Sequence, residues 1–238
     1  MKFRNSAIGA TLSLLSLGQP LIVGKGIAFT TFGVVIAVSQ PVQANDALFY
    51  FRRGIEKFKA RDFSEAISDY SRAIEINPTI GDIYYNRAIA KYHLKDYSGA
   101  ISDYSKAIEI NPIDALSYEH RGNAKVKLKN YSGAISDYSM AIANNPKEKD
   151  ASLYYKRGIV RMRLKTYSEA ITDFTNSILI NPNDSKSYYR RGVALSINGN
   201  MIRACLDWRA SIKIGYKKDT MGLAMAENVT QLIKDYCQ

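Results

Sequence analysis

The sequence predicts an all-α protein, a solenoid of five helix-turn-helix units closed by a C-terminal capping helix. Three observations predict it. The string Ala66-Ile67-Ser68-Asp69-Tyr70-Ser71 returns as Ala100–Ser105 and again as Ala134–Ser139, each time 34 residues later, and a fixed period of this size marks stacked repeats. Around each copy the apolar residues follow helical spacing: Ala66, Ile67, Tyr70, Ala73 and Ile74 share one face. Each of these stretches then closes on Asn-Pro (Asn77-Pro78, Asn111-Pro112, Asn145-Pro146), where proline stops the helix and disfavours helical geometry in the residue before it.

Taken in order, residues 1–44 read as a leader. The first 45 residues hold Lys2, Arg4 and Lys25 but no Asp or Glu. Two apolar stretches follow, Ala7–Gly24 (broken by Gln19 and Pro20) and Gly26–Ser39, and Val42 and Ala44 fit the −3 and −1 places of a cut after Ala44. A basic flank, a short apolar core at Gly26–Val38 and a small-residue exit make a secretory signal, though an extended one. An uncleaved membrane anchor is the alternative, but neither stretch cleanly reaches the roughly 20 apolar residues of a span.

The units are 47–80, 81–114, 115–150, 151–184 and 185–218. The fourth string, Thr166–Pro182, arrives 36 residues after the third because two residues are inserted near Lys147–Asp150. The fifth, Asn200–Tyr216, is degenerate, with Trp208 in the aromatic place and no closing proline. The first helix of each unit carries Tyr50, Tyr84, Tyr118, Tyr154 or Tyr188. Gly54, Ala88, Gly122, Gly158 or Gly192 stands four residues on, and Ala66, Ala100, Ala134, Ala170 or Ala204 twelve residues beyond that. Small side chains at both places let paired helices approach, with the aromatics filling the flanks. Residues 219–238 place Met225, Ala226, Val229, Leu232, Ile233 and Tyr236 on one stripe, the cap that the open end of a repeat stack requires.

This pattern resembles the tetratricopeptide repeat, a helix-turn-helix unit of 34 residues, over about Ala47–Tyr216. The resemblance implies a right-handed superhelix whose inner face is built from first helices, a protein-binding role, no catalysis and no cofactor. The copies rich in Ala-Ile-Ser-Asp-Tyr are similar to those of cyanobacterial exported proteins, which implies a periplasmic or thylakoid-lumen setting. The chain departs from the family where Leu and Tyr are usual: it has Arg53, Arg87, Arg121, Arg157 and Arg191, and Lys57, Lys91, Lys125 and Arg161. Asp69, Asp103, Asp137, Asp173 and Asp207 recur with them on the second helices. A desolvated Arg needs an anionic partner, so these pairs are expected to form a structural ion-pair ladder.

By repeat position the inner face should present Phe51, Tyr85, Glu119, Tyr155 and Tyr189. Beside them come Ile55, Ile89, Asn123, Ile159 and Val193, and Arg52, Asn86, His120, Lys156 and Arg190. Aromatic anchors bordered by cations suit an extended or helical peptide with acidic or carboxylate groups. The competing reading is that the tyrosines only pack against the next unit. One subset of the family grips C-terminal carboxylates; Asn123, Lys186 and Arg190 match its pattern, whereas Lys156 does not and Glu119 has the wrong sign.

Cys205 stands where other copies have Ile67, Ile101, Ile135 and Ile171. Antiparallel packing of the cap would put it nearer Val229 than Cys237, about 12 Å short at helical rise, so unpaired thiols are expected. His93 and His120 occupy different registers with no cysteine or histidine near them in sequence, which argues against a metal site. No nucleophile–base–acid set is visible, so an enzyme is not expected.

Without the leader, 30 Lys and Arg face 22 Asp and Glu, a net of +8. That excess, with the many tyrosines, motivates a nucleic-acid-binding alternative. The cations recur beside Asp in each copy and do not gather in one stripe, so a protein-interaction scaffold leads, assisting assembly of an envelope or thylakoid complex. Membrane association would come through a retained N-terminal segment.

Overall fold

The computed structural model describes residues 40–145, 150–215 and 223–237. The leader expected at 1–44 lies outside them except for its last residues, and the insertion near 147–150 lies almost wholly outside. Every regular element among the described residues is a helix: α1 (Gln40–Lys59), α2 (Phe63–Ile76), α3 (Gly81–His93), α4 (Tyr97–Ile110), α5 (Ala115–Lys127), α6 (Tyr131–Ala143), α7 (Ala151–Arg163), α8 (Tyr167–Ile180), α9 (Ser185–Ile197), α10 (Met201–Ile214) and α11 (Leu223–Tyr236). Each packs on its neighbours in chain order, and first helices also touch across units, as α1 with α3 and α7 with α9. Helices of 13 or 14 residues are marginal alone in water; stacking supplies the apolar contacts that hold them.

The second helices α2, α4, α6 and α10 start on side-chain caps. Asp62, Asp96, Asn130 and Asn200 each accept a hydrogen bond from the backbone N–H three residues on, satisfying a donor that the helix leaves open. The turns just before them are tight. Arg61, Lys95, Lys129 and Lys165 have φ between 60 and 65°, a left-handed conformation that L side chains adopt at a cost. Within the first pair of helices the contact is close enough to exclude a methyl group: a Cβ on Gly54 would meet the Tyr70 ring at 2.6 Å.

The Arg–Asp pairs run through the whole stack. Asp103 accepts from Arg87 Nε (2.8 Å) and Nη2 (2.7 Å) and pairs with Lys91 Nζ at 2.8 Å. Asp137 is held in the same way by Arg121 and Lys125, and Asp173 by Arg157 and Arg161. The end rungs, Arg53 with Asp69 and Arg191 with Asp207, have one cation each among the described residues. The free arm of each later arginine reaches the preceding unit: Arg87 Nη1 donates to Ser71 Oγ (3.0 Å), Arg121 to Ser105, Arg157 to Ser139 and Arg191 to Thr175. Each arginine also lies against its unit's tyrosine, Arg87 5.8 Å from the Tyr84 ring centre. At the fifth rung Leu195 replaces the second cation, and a cavity of about 350 Å³ opens between α8, α9 and α10.

The C-terminal end corrects two expectations. Cys205 and Cys237 form a disulfide with Cα atoms 5.6 Å apart. The described part of the cap helix runs Leu223–Tyr236, and after Tyr236 the chain leaves the helix. Arg209 Nη2 donates to the Cys237 carbonyl at 2.7 Å and holds that turn beside α10. Leu232 and Ile233 pack on Tyr189, Leu195 and Trp208, but Tyr236, expected on the buried stripe, is 58% exposed.

Two outcomes are expected. Asp137→Asn strands Arg121 and Lys125, whose side chains are both only 17% exposed, and should cost about 3–5 kcal/mol. Asp69→Asn faces the half-exposed Arg53 and should cost about 1 kcal/mol or less; equal shifts in the urea midpoint would refute this ranking. Reduction or Cys205→Ser removes a link spanning 32 residues and should lower stability by about 3–4 kcal/mol. Hydrogen exchange should place the loss first in α11, and unchanged protection there would contradict the account.

Candidate partner-binding face

The first helices α1, α3, α5, α7 and α9 repeat the same positions along one side of the stack, and the structure divides the anticipated residues into two groups. Phe51, Tyr85, Asn86, Ile89 and Tyr189 are buried, Tyr85 to 1%. His120, Asn123, Tyr155, Lys156 and Arg190 stay half exposed. For the first group this is a correction: these side chains fill the wall, and a ligand would meet the residues that cover them. Tyr85 packs edge-on against Tyr104 (5.9 Å) and His120 (5.6 Å), and His120 also stacks on Tyr104. Asn86 turns inward and donates from Nδ2 to the Asp82 carbonyl at 2.7 Å.

The half-exposed group forms a polar surface across units three to five. Lys156 of α7 reaches back to Glu119 of α5, Nζ to Oε1 at 2.5 Å. Asn123 accepts from the Tyr138 hydroxyl at 2.8 Å, which leaves its amide nitrogen for other partners. Arg190 lies 5.6 Å from the Tyr189 ring centre, and its Nε is buried without a hydrogen-bond partner. Burial raises the Tyr155 hydroxyl above its usual range, while the hydrogen bond from Arg190 pulls it back; the phenol is therefore a neutral donor beside a guanidinium. Arg52 stands exposed at the far end of the face.

Sequence reasoning missed the Glu119–Lys156 pair, although opposite charges at adjacent repeat positions of successive copies were a usable signal. It named Lys91, Lys125 and Arg161 without assigning them to the aspartates. It also missed His93, which stacks on Phe63 at 4.7 Å with Phe58 at its edge; no pattern in one copy announces that contact. Among the described residues no cluster of His, Cys, Asp or Glu could hold a metal.

Tetratricopeptide-repeat family models match this chain over residues 47–80 and 81–114 and over 121–187, more than half of its length. No curated protein matches it. Among solved structures it is similar to MamA (23% identity, 75% of this chain and 97% of that chain, TM-score 0.68). It is also similar to YrrB, described as a TPR protein with an unusual peptide-binding site (20% identity, 77% and 92% covered, TM-score 0.67). A third is pilF of Pseudomonas aeruginosa (16% identity, 82% and 87% covered, TM-score 0.65). At these identities the likeness is one of fold.

His93 offers a pH test of the packing. Burial, and then the nearby charge of Arg61, hold its imidazole below the ordinary value of 6.5, so the native state favours the neutral ring. Its contribution is complete above pH 6.5 and is lost as pH falls through the lowered value. Urea unfolding should therefore weaken more steeply below pH 6.5 in the parent than in His93→Phe; parallel curves would contradict the assignment.

Proposed function

Because the chain belongs to the tetratricopeptide-repeat family, a family of scaffolds for protein contacts, we propose that its inner face holds an extended or helical partner segment bearing acidic or carboxylate groups. The observation that carries this reading is the half-exposed polar surface of units three to five, where the Arg190 guanidinium stands beside the neutral Tyr155 hydroxyl. A carboxylate there would meet Arg190, the neutral Tyr155 hydroxyl and, one turn before Arg190 on α9, Lys186. Charge-assisted hydrogen bonds of this kind are about twice as strong as neutral ones. The peptide-binding site described for YrrB supports a peptide as the class of ligand.

The setting belongs to the same proposal. A leader over residues 1–44 and the Cys205–Cys237 bridge both suit an oxidising exported compartment, periplasm or thylakoid lumen, where the scaffold would assist assembly of an envelope or thylakoid complex. Retention of the N-terminal segment would add a membrane anchor.

An acidic peptide with a free C-terminal carboxylate is the probe. Arg190→Gln with Lys186→Gln should weaken its binding about tenfold or more, the loss of one or two charge-assisted contacts, while the unfolding midpoint stays near that of the parent. Undiminished binding by the double variant would show that the partner lies on another surface.

A further inference from the structure

The turns between the first and second helix of each unit line one edge of the solenoid, and their composition is unusual. Leu94, Leu128 and Leu164 close α3, α5 and α7 at the same repeat position and are 48%, 47% and 42% exposed. Each is followed by a lysine, Lys95, Lys129 or Lys165, also exposed. The next helix opens two residues later on a half-buried tyrosine. More cations stand just before the leucines, Lys127 and Arg163 among them.

Two bland explanations fall short. Cations at helix C-termini answer the helix dipole, but here each C-terminus abuts the N-terminus of the following helix, so the two ends largely cancel. Backbone geometry does not select lysine either. The turn position is left-handed, with φ of 65, 60 and 61° at Lys95, Lys129 and Lys165, where glycine or asparagine is the least costly residue. The fifth copy has Gly199 there, at φ 82°. Lysine in a conformation that disfavours it points to a use for the side chain itself.

Exposed leucines, each beside a cation and a tyrosine, form the combination that suits a lipid interface: the aliphatic tip enters the acyl boundary, the ammonium meets anionic headgroups and the phenol sits between. We propose that this edge docks the solenoid onto an anionic membrane surface. A polyanion alone would use the lysines and leave the leucines without a role. The docking is separate from the inner face, which would stay free for its partner, and from the N-terminal segment.

The test is co-sedimentation of the full chain with phosphatidylcholine vesicles with and without phosphatidylglycerol. Two triple variants are compared, Leu94→Gln/Leu128→Gln/Leu164→Gln and Lys95→Asn/Lys129→Asn/Lys165→Asn. Asparagine tolerates the left-handed turn, so the lysine variant should keep the parent's unfolding midpoint. Phosphatidylglycerol should strengthen binding of the parent, and each variant should lose it, the lysine variant by roughly a hundredfold at low ionic strength. Binding through the N-terminal segment, with its Lys2, Arg4 and Lys25, is common to all three proteins and cancels in the comparison between parent and variants. Parent binding that ignores phosphatidylglycerol, or variants that bind as the parent does, would overturn the proposal. So would a leucine variant that retains vesicle binding while the lysine variant loses both vesicles and polyuridylate, since that marks a general polyanion face.

Discussion

A carboxylate enclosed between two helices must be met by cations, and this requirement organises the stack. Asp103, Asp137 and Asp173 are at most 3% exposed, and each is closed by an arginine from the first helix of its own unit with a second cation one turn along. Apolar burial drives the association but is non-directional; two helices can slide and bury similar area. A bidentate arginine cannot slide with them. Because its remaining arm holds a hydroxyl of the preceding unit, each arginine sets the register of three helices together. Leucine and tyrosine, the family's usual choice, would bury more apolar surface at these places. They would leave the spacing between units to packing alone.

With register set in this way, equivalent residues return at equivalent places on every surface, and the surfaces can take different duties. The inner face is closed in the second unit, where Tyr85, Asn86 and Ile89 are buried. It opens in the third, where Glu119 and Asn123 replace tyrosine and isoleucine at matching positions. The Lys156–Glu119 pair then bridges first helices two apart in the chain, a contact that uses side chains the core does not need. The polar surface therefore begins where the aromatic filling stops.

Much of this was legible in the residues. The period, the helical stripe, the closing Asn-Pro, the caps and the small-residue contacts come from local physics that each copy repeats, and repetition let one copy check another. Arg53 and Asp69, 16 residues apart, could be matched for the same reason. The features that escaped depended on quantities that no period encodes. Whether Tyr85 faces solvent or core turns on how far His120 of the next unit leans over it. Whether Cys205 meets Cys237 turned on a non-helical last turn held by Arg209, a feature that occurs once in the chain. The end of the stack was the least predictable part because nothing repeats there.

The turns carry the complementary lesson. A unit multiplied for packing alone has no reason to keep a long charged side chain at a left-handed position, since the backbone is served better by glycine and no core contact depends on the choice. Lys95, Lys129 and Lys165 occupy it in three consecutive copies, with Arg61 before them. The fifth copy, which has lost the closing proline and the second cation of its rung, has Gly199 instead. Where the unit relaxes toward the least strained solution, the edge also loses its exposed leucine, for Asn198 stands at that place. Leucine and lysine stand together in the second, third and fourth copies, the first keeps a cation after Ala60 and the fifth keeps neither, so the combined surface belongs to the middle of the stack.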